Sequence, residues 1–172
     1  MLKRNTLLTY VDTSQTVSEK SQEGAKWALL GEGIEELTQS YNSETETKHF
    51  IHQSSGTTQI KSYAPTIDIS QEAIVSDEAY KFFDEKIRRP RAIGADAETY
   101  IVNVEGVYDG KLITGTSFPA ELQKVSISIN DNGGSAEDGI TLGYALNYIG
   151  DAVWGTWDAT TKTWSDTPFT AE

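Results

Sequence analysis

A chain of 172 residues with 37% hydrophobic and 23% charged residues, four Trp, eight Tyr and five Phe reads as one soluble globular domain. It is too aromatic for a disordered polymer and too polar for a membrane protein. Zero cysteines exclude a disulfide framework, a zinc ribbon and a thiol nucleophile, and the net charge of -12 has the wrong sign for gripping nucleic-acid phosphates.

The negative charge is uneven. Residues 1–90 carry ten basic and fourteen acidic side chains, residues 91–172 four and twelve. The second half therefore concentrates a field that either aids solubility or repels polyanions. The start Met1-Leu2-Lys3-Arg4 is followed by polar residues rather than an apolar signal core, so the expectation is a chain neither secreted nor anchored.

In chain order, a short apolar patch of Leu7, Leu8, Tyr10 and Val11 precedes a polar run, residues 12–26, in which Val17 is the lone large apolar residue. That composition predicts an N-terminal arm over residues 1–26, either frayed or docked through its apolar tip. Trp27-Ala28-Leu29-Leu30 then reads as the first strand of a single domain, residues 27–172. A probable hairpin spans about 40–64, with a strand-like stretch Glu44–Gln53, a Ser54-Ser55-Gly56 turn and a return strand Thr57–Tyr63. Apart from Phe50, Ile51, Ile60 and Tyr63 it is polar on both faces, which makes it marginal alone in water. It is either a flexible excursion or it is ordered by pairing with another chain.

Alternation of period two marks strands at Thr66–Ser70, Tyr100–Val104 and Lys124–Asn130, and the even positions Leu142, Tyr144, Leu146 and Tyr148 continue an apolar face. Asp131-Asn132-Gly133-Gly134 and Gly150-Asp151 read as turns, with Trp154, Trp157 and Trp164 in short strands beyond. One helix is predicted over about 76–89, capped by Ser76, with an apolar stripe of Ala79, Tyr80, Phe82, Phe83 and Ile87, and stopped by Pro90. Arg88, Arg89 and Arg91 at its end either match the helix dipole or meet an acidic neighbour. The fold class expected is mainly β, an antiparallel sandwich or barrel-like domain with one flanking helix.

Chemistry is sparsely marked. His49 and His52, three apart on a strand, point to opposite faces and cannot share a metal. Gly31-Glu32-Gly33 lacks the third glycine of a dinucleotide fingerprint. Glu105 and Asp109 flank a turn and form the least implausible acid pair, with strand-end roles the simpler reading. Asp131 to Asp138 resembles a calcium loop in composition but lacks the ligand spacing.

Several stretches together carry a family likeness: Trp27-Ala28-Leu29-Leu30-Gly31-Glu32-Gly33, the polar hairpin with Ile51-His52-Gln53-Ser54-Ser55-Gly56, and Tyr63-Ala64-Pro65-Thr66-Ile67-Asp68-Ile69. The helix Ser76–Arg89 leading into the strand Tyr100–Val104 completes it. In order and texture over most of its length the chain resembles the major tail tube proteins of long flexible-tailed phages of Gram-positive hosts. The resemblance implies a virion tail subunit, assembled in the host cytoplasm, whose hexameric rings stack into a tube around an acidic channel through which DNA passes without tight binding. It implies a tape measure protein and tail terminator and initiator proteins as partners, no membrane, no cofactor and no catalytic residues.

The candidate subunit interface is then Leu7, Leu8 and Tyr10 of the arm, His49, Phe50, Ile51, His52, Ile60 and Tyr63 of the hairpin, and Arg88, Arg89 and Arg91. A carbohydrate- or receptor-binding β-sandwich is equally acidic, aromatic and cysteine-free and is the alternative. A small hydrolase comes third, for want of a marked acid-base pair.

Overall fold

The computed structural model describes residues 2–170. Twelve strands follow in chain order: β1 (Leu7–Asp12), β2 (Trp27–Leu29), β3 (Thr38–Ser40), β4 (Ser43–Lys48), β5 (Thr57–Tyr63), β6 (Thr66–Glu72), β7 (Glu98–Glu105), β8 (Val107–Tyr108), β9 (Lys111–Leu112), β10 (Ser117–Gly133), β11 (Thr141–Asp158) and β12 (Thr163–Ser165). The main sheet is antiparallel in the order β2-β1-β7-β10-β11-β6-β3, with β12 added to β11, while β4-β5 and β8-β9 are separate two-stranded ribbons. The mainly β, sandwich-like class with one short helix is as expected from the alternation of apolar residues.

Two apolar clusters occupy opposite faces of this sheet. On one face Val11, Ile67, Ile69, Ile101, Val125, Ile127, Leu142, Tyr144 and Leu146 pack against the helical residues Ala79, Phe82, Phe83 and Ile87. On the other, Val102, Val104, Ala120 and Leu122 meet Val17, Trp27, Trp157 and Trp164. β7 is therefore covered on both sides, and its run of four buried residues, Ile101 to Val104, follows from that.

The N-terminal arm does not exist as a separate segment. β1 lies inside the sheet, with Tyr10 opposite both Leu29 and Val102, and Val11 is fully buried. The polar run after it is ordered by one carboxylate. Buried Asp12 accepts hydrogen bonds from the Ser14 amide (3.0 Å), the Ser14 hydroxyl (2.6 Å) and the Lys26 amide (3.1 Å), which closes the loop and seats Val17 and Trp27 in one cluster. Low hydrophobicity concealed this, because the loop is held by hydrogen bonds rather than by apolar burial.

The helix also differs from its sequence reading. Asp77, not Ser76, is the N-cap, accepting from the Tyr80 amide at 2.8 Å, and α1 (Glu78–Lys81) passes into a π-helix over Phe82–Arg88. The widened turn is closed by amide bonds five residues back, from Arg89 to Asp84 and from Ala92 to Ile87, both 2.9 Å.

Gly150-Asp151 is no turn but a bulge inside an 18-residue strand. β10 advances two residues, Leu122 to Lys124, while β11 advances four, Val153 to Ile149. Gly150 takes the required positive φ of 67°. Gln123, which is 1% exposed, sits at the bulge, and its Nε2 donates to Lys124 O (2.8 Å) and Ile149 O (2.9 Å). Likewise β10 runs through Asp131-Asn132-Gly133 before its loop begins.

Gln123→Ala removes these half-buried hydrogen bonds and is expected to cost roughly 1–3 kcal/mol. Chemical denaturation reads the difference directly; an unchanged midpoint would mean that water replaces the amide without loss.

Candidate assembly surfaces

The β4-β5 hairpin is ordered yet covers nothing. Every residue of β4 and six of the seven in β5 are exposed. Its register pairs Ser43 with Tyr63, Thr45 with Ile60 and Thr47 with Thr58, and puts Glu44 opposite Ser62, Glu46 opposite Gln59 and Lys48 opposite Thr57. Alternation makes the ribbon two-faced. One face carries Tyr63, Thr45, Ile60, Thr47 and Thr58, and the other carries the charges. Tyr41 extends the first face at the root, its ring 6.5 Å from that of Tyr63. Tyr41, Ile60 and Tyr63 are 58%, 58% and 57% exposed.

The root is jointed by Asn42, in the left-handed region at φ 46°, whose Nδ2 donates to Ala64 O (3.0 Å) and Thr66 Oγ1 (3.1 Å). At the far end His49, Phe50, Ile51 and His52 lie in the connection between strands rather than on a strand, so the opposite-faces argument for the two histidines does not apply. Phe50 and His52 stack at 6.0 Å and Ile51 is fully exposed. The ribbon's own ion pairs, Lys48–Glu46 (3.5 Å) and Lys61–Glu44 (3.9 Å), are solvent-exposed and add little.

A second uncovered surface is the outer side of β3-β6-β11-β10 and the start of β7. The register lines up Thr38, Asp68, Ala145 and Ser128 in one row, and Ser40, Thr66, Asn147, Ser126 and Glu98 in the next. Ser70, Gly143 and Asp131 form a third row. Apart from Ala145, Gly143 and the longer Glu98, these side chains are short and polar. At Gly143 a Cβ would stand 2.5 Å from Asp131 Oδ1, so the carboxylate lies across the space that glycine leaves. Asp68, Glu72, Glu98 and Asp131 face out against one ammonium, Lys124, which is paired with Glu98. The alternation of Ser, Thr and Asp with apolar residues signalled these strands, but not that their polar sides adjoin in one face.

Glu105 and Asp109 do not form a pair. Asp109 sits in the β8-β9 turn at φ 49°, whereas Glu105 is raised above the ordinary carboxylate range by burial and by the charge of Glu121. Glu121 accepts from Asn103 Nδ2 at 2.8 Å, which also donates to the Tyr148 hydroxyl at 2.8 Å, and Thr9 donates to Asn103 Oδ1 at 2.8 Å. The row is a satisfied structural network with no nucleophile beside a base. Among the described residues no group of three His, Asp or Glu is placed to hold a metal. Nor is any helix among them long and apolar enough to cross a membrane. Trp27, Trp157 and Trp164 are buried, whereas Trp154 is exposed, as are Tyr41, Phe50, Tyr63 and Tyr108.

Of the other sequence-predicted interface residues, Leu8 and Tyr10 pack inside the second cluster, Tyr10 against Trp157 at 4.6 Å, and Leu7 stands 38% exposed at a sheet corner. Arg88 and Arg89 are engaged within the chain. Both grip Asp84, which is 3% exposed, Arg89 Nε lying 2.7 Å from Asp84 Oδ2. The π-helix allows this, since a residue five positions on then lies under the carboxylate as well as the one at four. Arg91 is exposed in a turn at φ 53°.

No protein-family model matches this chain, and none of the curated proteins is significantly similar to it.

Burial raises the Asp84 carboxyl, but the hydrogen bonds and charges of Arg88 and Arg89 outweigh it and hold it below its ordinary value of 3.8. A carboxylate depressed in the folded state contributes stability that is present above its unfolded value and lost as pH falls through the folded one. Asp84→Asn is expected to lower stability at neutral pH by about 1–3 kcal/mol and to flatten the acid limb of the stability curve below pH ~4. Unfolding midpoints measured from neutral to strongly acidic pH test this; parallel curves for the two proteins would refute the clamp.

Proposed function

We propose that the chain is a structural subunit that assembles with copies of itself into a tube, as a phage tail tube subunit in hexameric rings stacked around an acidic channel for DNA. The observation that carries this reading is the hairpin, an ordered ribbon with one apolar face that covers no part of its own domain. A two-stranded ribbon of this size has too little area to hold itself together in water, and its Tyr41–Tyr63–Ile60 face is what a neighbouring copy would cover. The outer sheet face supports the channel. Its side chains are short and its carboxylates outnumber its one ammonium, so phosphates passing over it meet repulsion without a trap. Partners at the tube's ends and inside it would be the tape measure, terminator and initiator proteins, and the site of action the virion tail.

Replacing His49–Ile60 with a short Gly-Ser linker tests the reading. The core clusters contain none of these residues, so thermal unfolding is expected to change by less than about 1 kcal/mol, loop closure contributing only fractions of that. Sedimentation is expected to show that large assemblies are lost. If the variant assembles like the parent, the hairpin is a solvated excursion.

A second expectation concerns the sheet face. The intact protein is expected to bind duplex DNA no tighter than micromolar at moderate salt. The variant Asp68→Lys, Glu72→Lys, Asp131→Lys is expected to gain binding with a salt slope of roughly one per phosphate neutralised. Submicromolar, steeply salt-dependent binding by the unaltered protein would contradict it.

A further inference from the structure

The side of the sheet that carries Val11, Ile101 and Val125 under the helical segment runs on past the end of that cover. Two residues along each strand the same side is shown again, and the register places Thr9, Asn103, Glu121 and Trp154 there in one row across four strands, with Leu7 opposite Glu105 in the row beyond. Trp154 is 54% exposed, although the other tryptophans are buried. Gln39 and Tyr41 enter from the edge: Gln39 Nε2 donates to Glu121 Oε1 (3.4 Å), and the Tyr41 hydroxyl donates to Gln39 Oε1 (3.5 Å). An exposed indole thus stands directly across a strand pair from the half-buried Glu121, at the ~5 Å side-chain spacing of such partners.

The carboxylates of this face are only partly engaged. Both hydrogen bonds to Glu121 go to Oε1, from Asn103 and from Gln39, so Oε2 takes none among the described residues. Neither Glu105 nor Glu121 belongs to an ion pair among those residues. Arg4 lines, with Glu105, a hollow of about 360 Å³, but its guanidinium donates to Leu7 O. Burial and the charge of Glu121 act on Glu105 with no cation to offset them.

Two uncompensated carboxylates beside an indole and a phenol are complementary to a cation, and the shape of the face selects which. An ammonium is a compact charge that holds its water, whereas a guanidinium is a plane that stacks on an indole and turns a fork of N–H groups toward carboxylates. The face is open, since Trp154 lines neither the hollow at Glu105 nor the smaller one beside it. An open face covers little of a free small molecule, which argues for a cation presented by a larger body. We infer that this face receives an arginine side chain of a basic partner protein, its guanidinium stacked on Trp154 and donating to Glu121 and Glu105. The inference goes beyond the assembly reading and does not depend on it.

The probe is the capped peptide Gly-Ser-Arg-Ser-Gly, with Lys or Gln at its centre as controls. Ligand-observed saturation-transfer NMR reads binding to single subunits and to assemblies alike. The arginine peptide is expected to bind saturably and more tightly than the lysine peptide, and the glutamine peptide to give no saturable signal. Trp154→Ala, at an exposed position where folding is not at risk, is expected to weaken binding roughly two- to fivefold, the cation–π contribution at an exposed site. Glu121→Gln keeps an oxygen for Asn103 and Gln39 and is expected to weaken it roughly tenfold. The double variant Asp68→Asn, Asp131→Asn removes charge from the outer sheet face instead and is expected to bind like the parent. Equal binding of the arginine and lysine peptides, or unchanged affinity in Trp154→Ala, would mean unspecific attraction to an acidic protein and overturns the inference. Absence of saturable binding overturns it as well. Saturable contact by a neutral methyl pyranoside and not by the arginine peptide would give the face to a polyol and overturn it too.

Discussion

The structure depends on how two very long strands, β10 and β11, serve cores on opposite faces of one sheet. In the half that ends near the Asp131 loop they give Val125, Ile127, Leu142, Tyr144 and Leu146 to the helix-covered cluster. In the other half they give Ala120, Leu122 and Trp157 to the tryptophan cluster. Between the two halves β11 carries two extra residues at Gly150. At this bulge Gln123 donates to Lys124 O and Ile149 O. Apolar area drives each cluster, and the bulge braced by one buried glutamine lies between them.

That change of covered face goes with two surfaces that the domain leaves uncovered. Where the helix lies on one side, the opposite side of β6, β11 and β10 has no second layer, and the sequence supplies Ser, Thr, Asn and Asp there. Where the tryptophans fill that side, the sheet instead shows the network of Thr9, Asn103, Glu121 and Tyr148 on the reverse, close to the hairpin root. The hairpin leaves at Asn42, just beyond the short edge strand β3, so it extends the edge of the sheet without joining its ladder.

Much of the fold was legible in residue patterns. Period-two alternation located the strands around Ile67, Val102, Val125 and Leu142, and the apolar stripe of Ala79, Phe82, Phe83 and Ile87 located the helix. What the pattern hid has physical causes. β1 reads as an arm because its partners lie on β7, some ninety residues away at Val102 and Val104, and because Asp12 orders the following loop through hydrogen bonds, which leave no hydrophobic trace. Gly150-Asp151 has the composition of a turn, and only the register on both sides shows it to be a bulge. Arg88 and Arg89 look like free cations at a helix end until the π-turn brings both onto Asp84. The hairpin's apolar face was missed because it depends on cross-strand partners, Thr45 with Ile60 above all, and these are set by register.

The central claim is that a surface this chain cannot cover by itself is covered by copies of itself. Electron microscopy of the unaltered protein, concentrated and incubated, tests it most directly. The account predicts rings or tubes of uniform diameter with a central channel. Fields of dispersed single particles at every concentration would contradict it.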